Sequence, residues 1–167
     1  RVLGDSSMSL SVELARELGI ARLENHVGAH GRMVRDGDLD RQALFARMRD
    51  GLVPTTAQAS PAEAREFLDR ALEGAEHAVY LAVGRAYTGT QDLVRAAAAD
   101  HPLGERLTVV DSRAAAGQQG IAALAAARFA TRARDAAELV AYAERQAATA
   151  REYLVLDSLE FLSRTGR

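Results

Sequence analysis

The chain has 167 residues, enough for one domain with a sizeable core, and its composition is that of a globular protein, with 48% hydrophobic and 26% charged residues. A formal net charge of −2 and the lack of any long apolar run count against nucleic-acid binding and stable membrane insertion. Cysteine is absent, which removes disulfides, thiolate nucleophiles and Cys-ligated zinc and fits a reducing, cytoplasmic setting; lysine is absent too, which removes a P-loop lysine and a Schiff base.

The opening RVLGDSSMSL has no secretory-signal layout and no initiator Met, and reads as the interior of a longer chain. Val2-Leu3 predicts a short strand, running into a turn at Gly4-Asp5-Ser6-Ser7. A helix is expected from about Ser9 to Leu18, with Leu10, Leu14, Ala15 and Leu18 on one face and Gly19 ending it. Arg22 to Val27 reads as a strand, and GAHGRMVRDGD as a turn, a short extended piece and a second turn at Asp36-Gly37. Arg41 to Arg49 predicts a helix with Leu44, Phe45 and Met48 inward. Thr55, Thr56 and Gln58 then fall in a loop ahead of a well-specified helix start: Ser60 as cap, Pro61 at the first position, Glu63 completing a capping box. That helix runs from Ala62 to Leu72 with Phe67, Leu68 and Leu72 inward.

The second half alternates more clearly. HAVYLAVG is a buried strand bounded by Gly84, TGTQDLVRAAAADH a helix, and LTVVDS a second buried strand. Gly117 to Thr131 and Asp135 to Ala150 are helices, EYLVLDS a last strand, and Leu159 to Leu162 the start of a short helix. Strands alternating with helices predict an α/β layered domain, with a largely parallel sheet flanked by helices.

In such sheets ligands collect beyond the carboxyl ends of the strands. Four loops qualify: Asp5-Ser6-Ser7, Thr55-Thr56, Gly84-Arg85-Ala86 and Asp111-Ser112-Arg113. They are small and hydroxyl-rich, suited to a carboxylate or phosphate rim. Thr55, Thr56 and Gln58 equally suit a turn that satisfies its own backbone ahead of the Ser60 cap. Arg85, directly after a buried strand, reaches solvent, pairs with an acid or meets an anionic ligand. Asp5 and Asp111 read as turn residues, and Glu63, Glu66 and Asp69 as a solvated helix face. His77 and His101 read as solvated surface, and His26, His30, His77 and His101 have no metal-ligand spacing. The spacing at Gly84 to Gly89 is not a dinucleotide fingerprint, and no local motif supports a Ser-His-Asp triad. These residues therefore predict neither an enzyme nor a cofactor.

Six segments, in order, resemble the DegV family of bacterial fatty-acid-binding proteins: DSS after the first strand, RDG at Arg35 to Gly37, PTTAQASPAE, TGT at Thr88 to Thr90, VVDSRAAAGQQG, and LVLDSLEFLSRTGR. The resemblance implies a non-enzymatic module that buries the tail of one long-chain fatty acid and presents its carboxylate to a fatty acid kinase subunit or fused kinase domain for phospholipid synthesis. The family's carboxylate contacts map onto Thr56, with Thr55 and Ser6 in the neighbouring hydroxyl loops, and onto Arg167. The family's paired serines correspond to Gly84 and Arg85, where Arg85 offers a charged contact in place of a hydroxyl, and its double glycine is changed to Thr165-Gly166. A second lobe is expected after Arg167. The competing expectations are a phosphate- or nucleotide-binding α/β enzyme domain using the same loops, and a family member whose altered Gly84-Arg85 loop takes a different ligand or none.

Overall fold

The computed structural model describes residues 1–29, 31–156, 159 and 163. Its centre is a four-stranded, wholly parallel sheet of β1 (Val2–Asp5), β2 (Ala21–Leu23), β6 (Ala78–Ala82) and β7 (Leu107–Asp111), in the order β2-β1-β6-β7. A second sheet is antiparallel, in the order β4-β3-β5: β3 (His26–Ala29), β4 (Arg32–Arg35) and β5 (Thr55–Ala57). The helices are α1 (Val12–Glu17), α2 (Arg41–Arg49), α3 (Pro61–Leu72), α4 (Thr90–Ala99), α5 (Ala116–Ala130) and α6 (Ala136–Thr149).

The period-two alternation of strand side chains sorts the core into two layers. From β6, Val79 and Leu81 pack with Val2, Met8 and Val110 against Ala122, Ala126, Leu139 and Ala143 of α5 and α6. Ala78, Tyr80 and Ala82 face the other way, with Leu3, against Phe67, Leu68 and Leu72 of α3 and Val94 of α4. All five residues of β6 are fully buried, so the strand reads as a continuous apolar run. Alanine at the α5–α6 contact lets these helices approach closely, and a stacked Phe129–Tyr142 pair, centroids 4.1 Å apart, closes their outer edge.

Several expectations change. The strand expected over Arg22 to Val27 is two strands in two sheets. Asn25 donates its backbone N–H to Ser6 Oγ (3.0 Å) and its side-chain amide to Ser7 Oγ (3.0 Å), while Glu24 binds Arg22 and the Gly37 N–H, and the chain turns there from one sheet to the other. The Thr55-Thr56 segment is a strand rather than a loop, with Thr56 paired to Val27 and Thr55 to Gly28. Gly28 permits that pairing, since a Cβ there would lie 2.2 Å from Thr55 Oγ1. Phe45 faces outward at 53% exposure, and Leu44 alone of α2 is buried. The strand expected from Glu152 is not formed: residues 152–156 have no regular structure, and Tyr153 and Val155 are about nine-tenths exposed. Asp157, Ser158, and most of the short helix expected from Leu159 to Leu162 lie outside the described residues.

The helix starts are locally specified. Ser60 Oγ accepts from the Glu63 N–H (3.2 Å) while Glu63 Oε2 accepts from the Ser60 N–H (2.9 Å), the capping box written into Ser-Pro-Ala-Glu. Ser11, Asp40 and Asp135 cap α1, α2 and α6 one way only, each side-chain oxygen accepting from the backbone N–H three residues on.

Candidate functional site

The carboxyl ends of β1, β2 and β6 open into a cleft of about 430 Å³, closed on its far side by β3 and β5. Its polar lining comes from Ser6, Ser7, Asn25, Thr56, Gln58 and Thr88. Val27, Ala57, Val83 and Ala115 supply apolar surface, and His26, Asp36 and Tyr87 complete the wall.

Beneath the cleft lies a buried polar network. The Asp5 carboxylate is fully buried at the end of β1. Its Oδ1 accepts from the Ser7 N–H (3.0 Å), and its Oδ2 from the Val83 N–H (3.2 Å), Gln119 Nε2 (3.2 Å) and the Tyr80 hydroxyl (3.4 Å). Gln119 also donates to the Leu81 carbonyl (3.0 Å). Burial, and secondarily the adjacent Asp5 carboxylate, push the Tyr80 phenol well above its ordinary value, so it stays protonated and donates. Asp5 thus ties together three sequence-distant segments, namely the Ser6-Ser7 turn, the end of β6 and the first turns of α5. It is a structural floor that fixes the Ser6-Ser7 turn through the Ser7 N–H.

The residues expected at a site divide as follows. Ser6 and Thr56 line the cleft, Ser6 6% exposed and Thr56 on its open side. Thr55 points to the opposite face of β5, its Oγ1 packed over Gly28. Gly84 lies outside the lining, and its backbone N–H donates to the Ala114 carbonyl at 2.6 Å. A Cβ at Gly84 would come within 2.8 Å of the Arg113 carbonyl carbon, so the position is filled by backbone. Arg85 pairs with an acid: Asp92, in the first turn of α4, takes its Nη2 at 2.6 Å and its Nε at 3.4 Å, with the side chain 67% exposed. The Asp111-Ser112-Arg113 loop spends its polar groups on itself, Ser112 Oγ bonding Ala114 and Asp111 the Arg113 N–H. Arg167 lies outside the described residues.

Asn25, His26, Asp36 and Tyr87 are cleft residues that sequence reasoning did not select. Gln58 reads with Thr55 and Thr56 as a loop residue ahead of the Ser60 cap, and Thr88 only as part of the TGT motif. They join across the mouth, Thr88 Oγ1 donating to Gln58 Oε1 at 3.4 Å and contacting Thr90 Oγ1 at 3.0 Å. Glu63 is likewise no mere solvated acid. It lies 3.1 Å from His26 Nε2 and 3.5 Å from Arg35. His101 is buried, not surface: its Nε2 meets Asp69 (3.0 Å) and its Nδ1 accepts from the Leu103 N–H (3.0 Å). Among the described residues no cluster of His, Asp and Glu is arranged to hold a metal, and no helix is long and apolar enough to cross a membrane.

An α/β domain with a hydroxyl-rimmed cleft at the carboxyl edge of a parallel sheet is a small-molecule carrier or enzyme scaffold by architecture. Comparison with known proteins narrows this. The family model described as "Uncharacterised protein, DegV family" matches residues 1–167, and the chain belongs to the DegV family. A DegV domain-containing protein of Caldanaerobacter subterraneus is 28% identical over 99% of the chain, and one of Deinococcus radiodurans 30% identical over 99%. The chain spans 59% of the length of each of these relatives. A solved structure of a DegV family protein from Thermus thermophilus, described as fatty acid binding, is 30% identical and superposes with a TM-score of 0.86, over 99% of this chain and 59% of that one.

Proposed function

We propose that this chain forms part of a non-enzymatic carrier for a long-chain fatty acid, with the acid's head group seated in the cleft between Ser6 and Thr56. The observation that carries the reading is the convergence of hydroxyls from three separate segments, Ser6, Thr56 and Thr88, on one cleft. A 30% identical relative described as fatty acid binding supports the same ligand class. Short hydroxyls suit a carboxylate because each donates one hydrogen bond without bulk.

Affinity in this reading comes mainly from the tail. Each buried methylene contributes roughly 0.8 kcal/mol, so a long acyl chain brings far more than the head group before ordering costs are subtracted. The hydroxyls choose the acid and fix its direction. The remaining length found in the relatives corresponds to a second lobe that completes the tail's enclosure. The intact protein then presents the carboxylate to a fatty acid kinase, as a separate subunit or fused domain, in the cytoplasm. Arg167 joins the head-group contacts in this reading, whereas Arg85, engaged by Asp92, does not.

Thr56→Val tests the head-group assignment. It keeps the side chain's shape, removes the hydroxyl, and is expected to weaken binding of palmitic acid by about tenfold, the equivalent of one hydrogen bond to a charged group. Unchanged affinity would remove Thr56 from the site.

A further inference from the structure

The two walls of the cleft are held in place by different forces. On one side, Ser6, Val83 and Thr88 adjoin elements locked into the apolar layers, through Met8, Leu81 and Val94, all buried. The opposite wall, with Val27, Thr56 and Gln58, belongs to residues 26–58, which build β3, β4, α2 and β5. Among the described residues, no apolar side chain from 26 to 58 belongs to either layer or packs against one. Leu44 is the only described residue of that segment that is buried. The segment is moored at its two ends, by Leu23 before it and Ala59 after it, which are 3% and 2% exposed in the same layer. Asn25, where the chain leaves the parallel sheet, is tied to that sheet's side through Ser6 and Ser7.

Between these moorings the ties to the rest of the domain are polar. His26 Nε2 lies 3.1 Å from Glu63 Oε1, and Arg35, its side chain 54% exposed, lies 3.5 Å from the same oxygen. Across the mouth, Thr88 Oγ1 meets the exposed Gln58 at 3.4 Å. Long hydrogen bonds and water-exposed ion pairs hold weakly, because water competes for both partners. The β3–β4 and β3–β5 ladders, by contrast, bind the segment to itself. A unit that is tied internally by backbone hydrogen bonds, but shares no apolar core with its neighbour, opens at a lower free energy than the core does.

We propose that residues 26–58 form a lid, which swings as one unit about its moorings at Asn25 and Ala59 and closes over the ligand's head group. The inference rests on the fatty-acid reading above and adds how the ligand enters and leaves. Thr56 rides on the lid, whereas Ser6 and Thr88 stand on the fixed side. Opening therefore parts the hydroxyls and exposes the cleft to an arriving ligand. A carboxylate that accepts hydrogen bonds from both walls binds the closed form better than the open one, and that difference in affinity drives closure.

Native-state hydrogen exchange of the intact protein, resolved by peptide mass spectrometry, tests the lid. Without ligand, the ladder amides of β3, β4 and β5 are expected to exchange together, at least about 100-fold faster than those of β6. Palmitic acid at about 100 times its Kd is expected to slow the lid amides by at least about tenfold, because the open form must release it. Lid and β6 amides that exchange at one rate without ligand would overturn the lid. Fast lid amides left unchanged by saturating palmitic acid would overturn its closure on the ligand. Protein that takes up no palmitic acid would overturn the fatty-acid reading instead, and the ligand-free comparison would still decide whether the segment opens as a unit.

Discussion

Asp5→Ala is the sharpest perturbation of the cleft floor. It removes the acceptor of two fully buried donors, the Val83 N–H and the Tyr80 hydroxyl, and halves the bonding of Gln119 Nε2, which keeps the Leu81 carbonyl. An abandoned buried donor costs about 1–3 kcal/mol, so two of them together cost roughly 2–6 kcal/mol. That is a large share of the 5–15 kcal/mol or so that holds a typical domain together. At about 2–4 °C per kcal/mol for a chain of this size, the thermal midpoint falls by roughly 10 °C. Tyr80→Phe is the internal control. It removes only the long 3.4 Å bond and leaves Asp5 three other donors, so it costs under about 1 kcal/mol. Thermal unfolding followed by far-ultraviolet circular dichroism reads both. An Asp5→Ala midpoint within about 2 °C of wild type would refute the claim that this carboxylate organises the floor.

Gly84→Ser is expected to destabilise by about 1–3 kcal/mol, because its Cβ meets backbone at Arg113 and Ala114 within 2.9 Å; urea unfolding measures it. Arg85→Ala is expected to change stability by less than about 1 kcal/mol and palmitic acid affinity not at all, since the pair with Asp92 is solvent-exposed. His101→Ala is expected to cost about 1–3 kcal/mol by orphaning the Leu103 N–H, read by the same unfolding curves. Glu63 has a folded-state pKa lowered chiefly by the Ser60 N–H, so its contribution is full above the unfolded carboxyl value and is lost as pH falls through the lowered one. Glu63→Gln is therefore expected to flatten the acid limb of a stability-versus-pH curve, and an unchanged limb would contradict that.

What was legible in the sequence was whatever is encoded locally. β6 could be read because six consecutive apolar residues, Ala78 to Val83, end at Gly84, and α3 because Ser60, Pro61 and Glu63 specify its start within four positions. Ser6 could be placed at a strand's carboxyl end for the same reason. The rest depends on partners far away in the chain. β5 is three residues long and exists only by pairing with β3, so Thr55-Thr56 reads as a loop until that register sets one threonine toward the cleft and the other over Gly28. Asp5 and Gln119 are 114 positions apart, and nothing local announces their bond. His101 reads as surface because it stands at the end of a helical segment beside Asp100 and Pro102, while its burial is imposed by α3 through Asp69. The Glu152 segment shows the converse failure. Its unbroken apolar run from Tyr153 to Leu156 promises a strand, but the promise is kept only by a neighbouring strand, and none of the described residues pairs with it.

The cleft of Ser6 and Thr56 is proposed to serve a long-chain fatty acid. Mass spectrometry of an organic extract from the purified intact protein tests it most directly. The expected result is one long-chain fatty acid in near-stoichiometric amount, depleted in Thr56→Val protein prepared in parallel. A folded protein whose extract holds no fatty acid, and which takes up neither palmitic nor oleic acid when offered, would contradict the account.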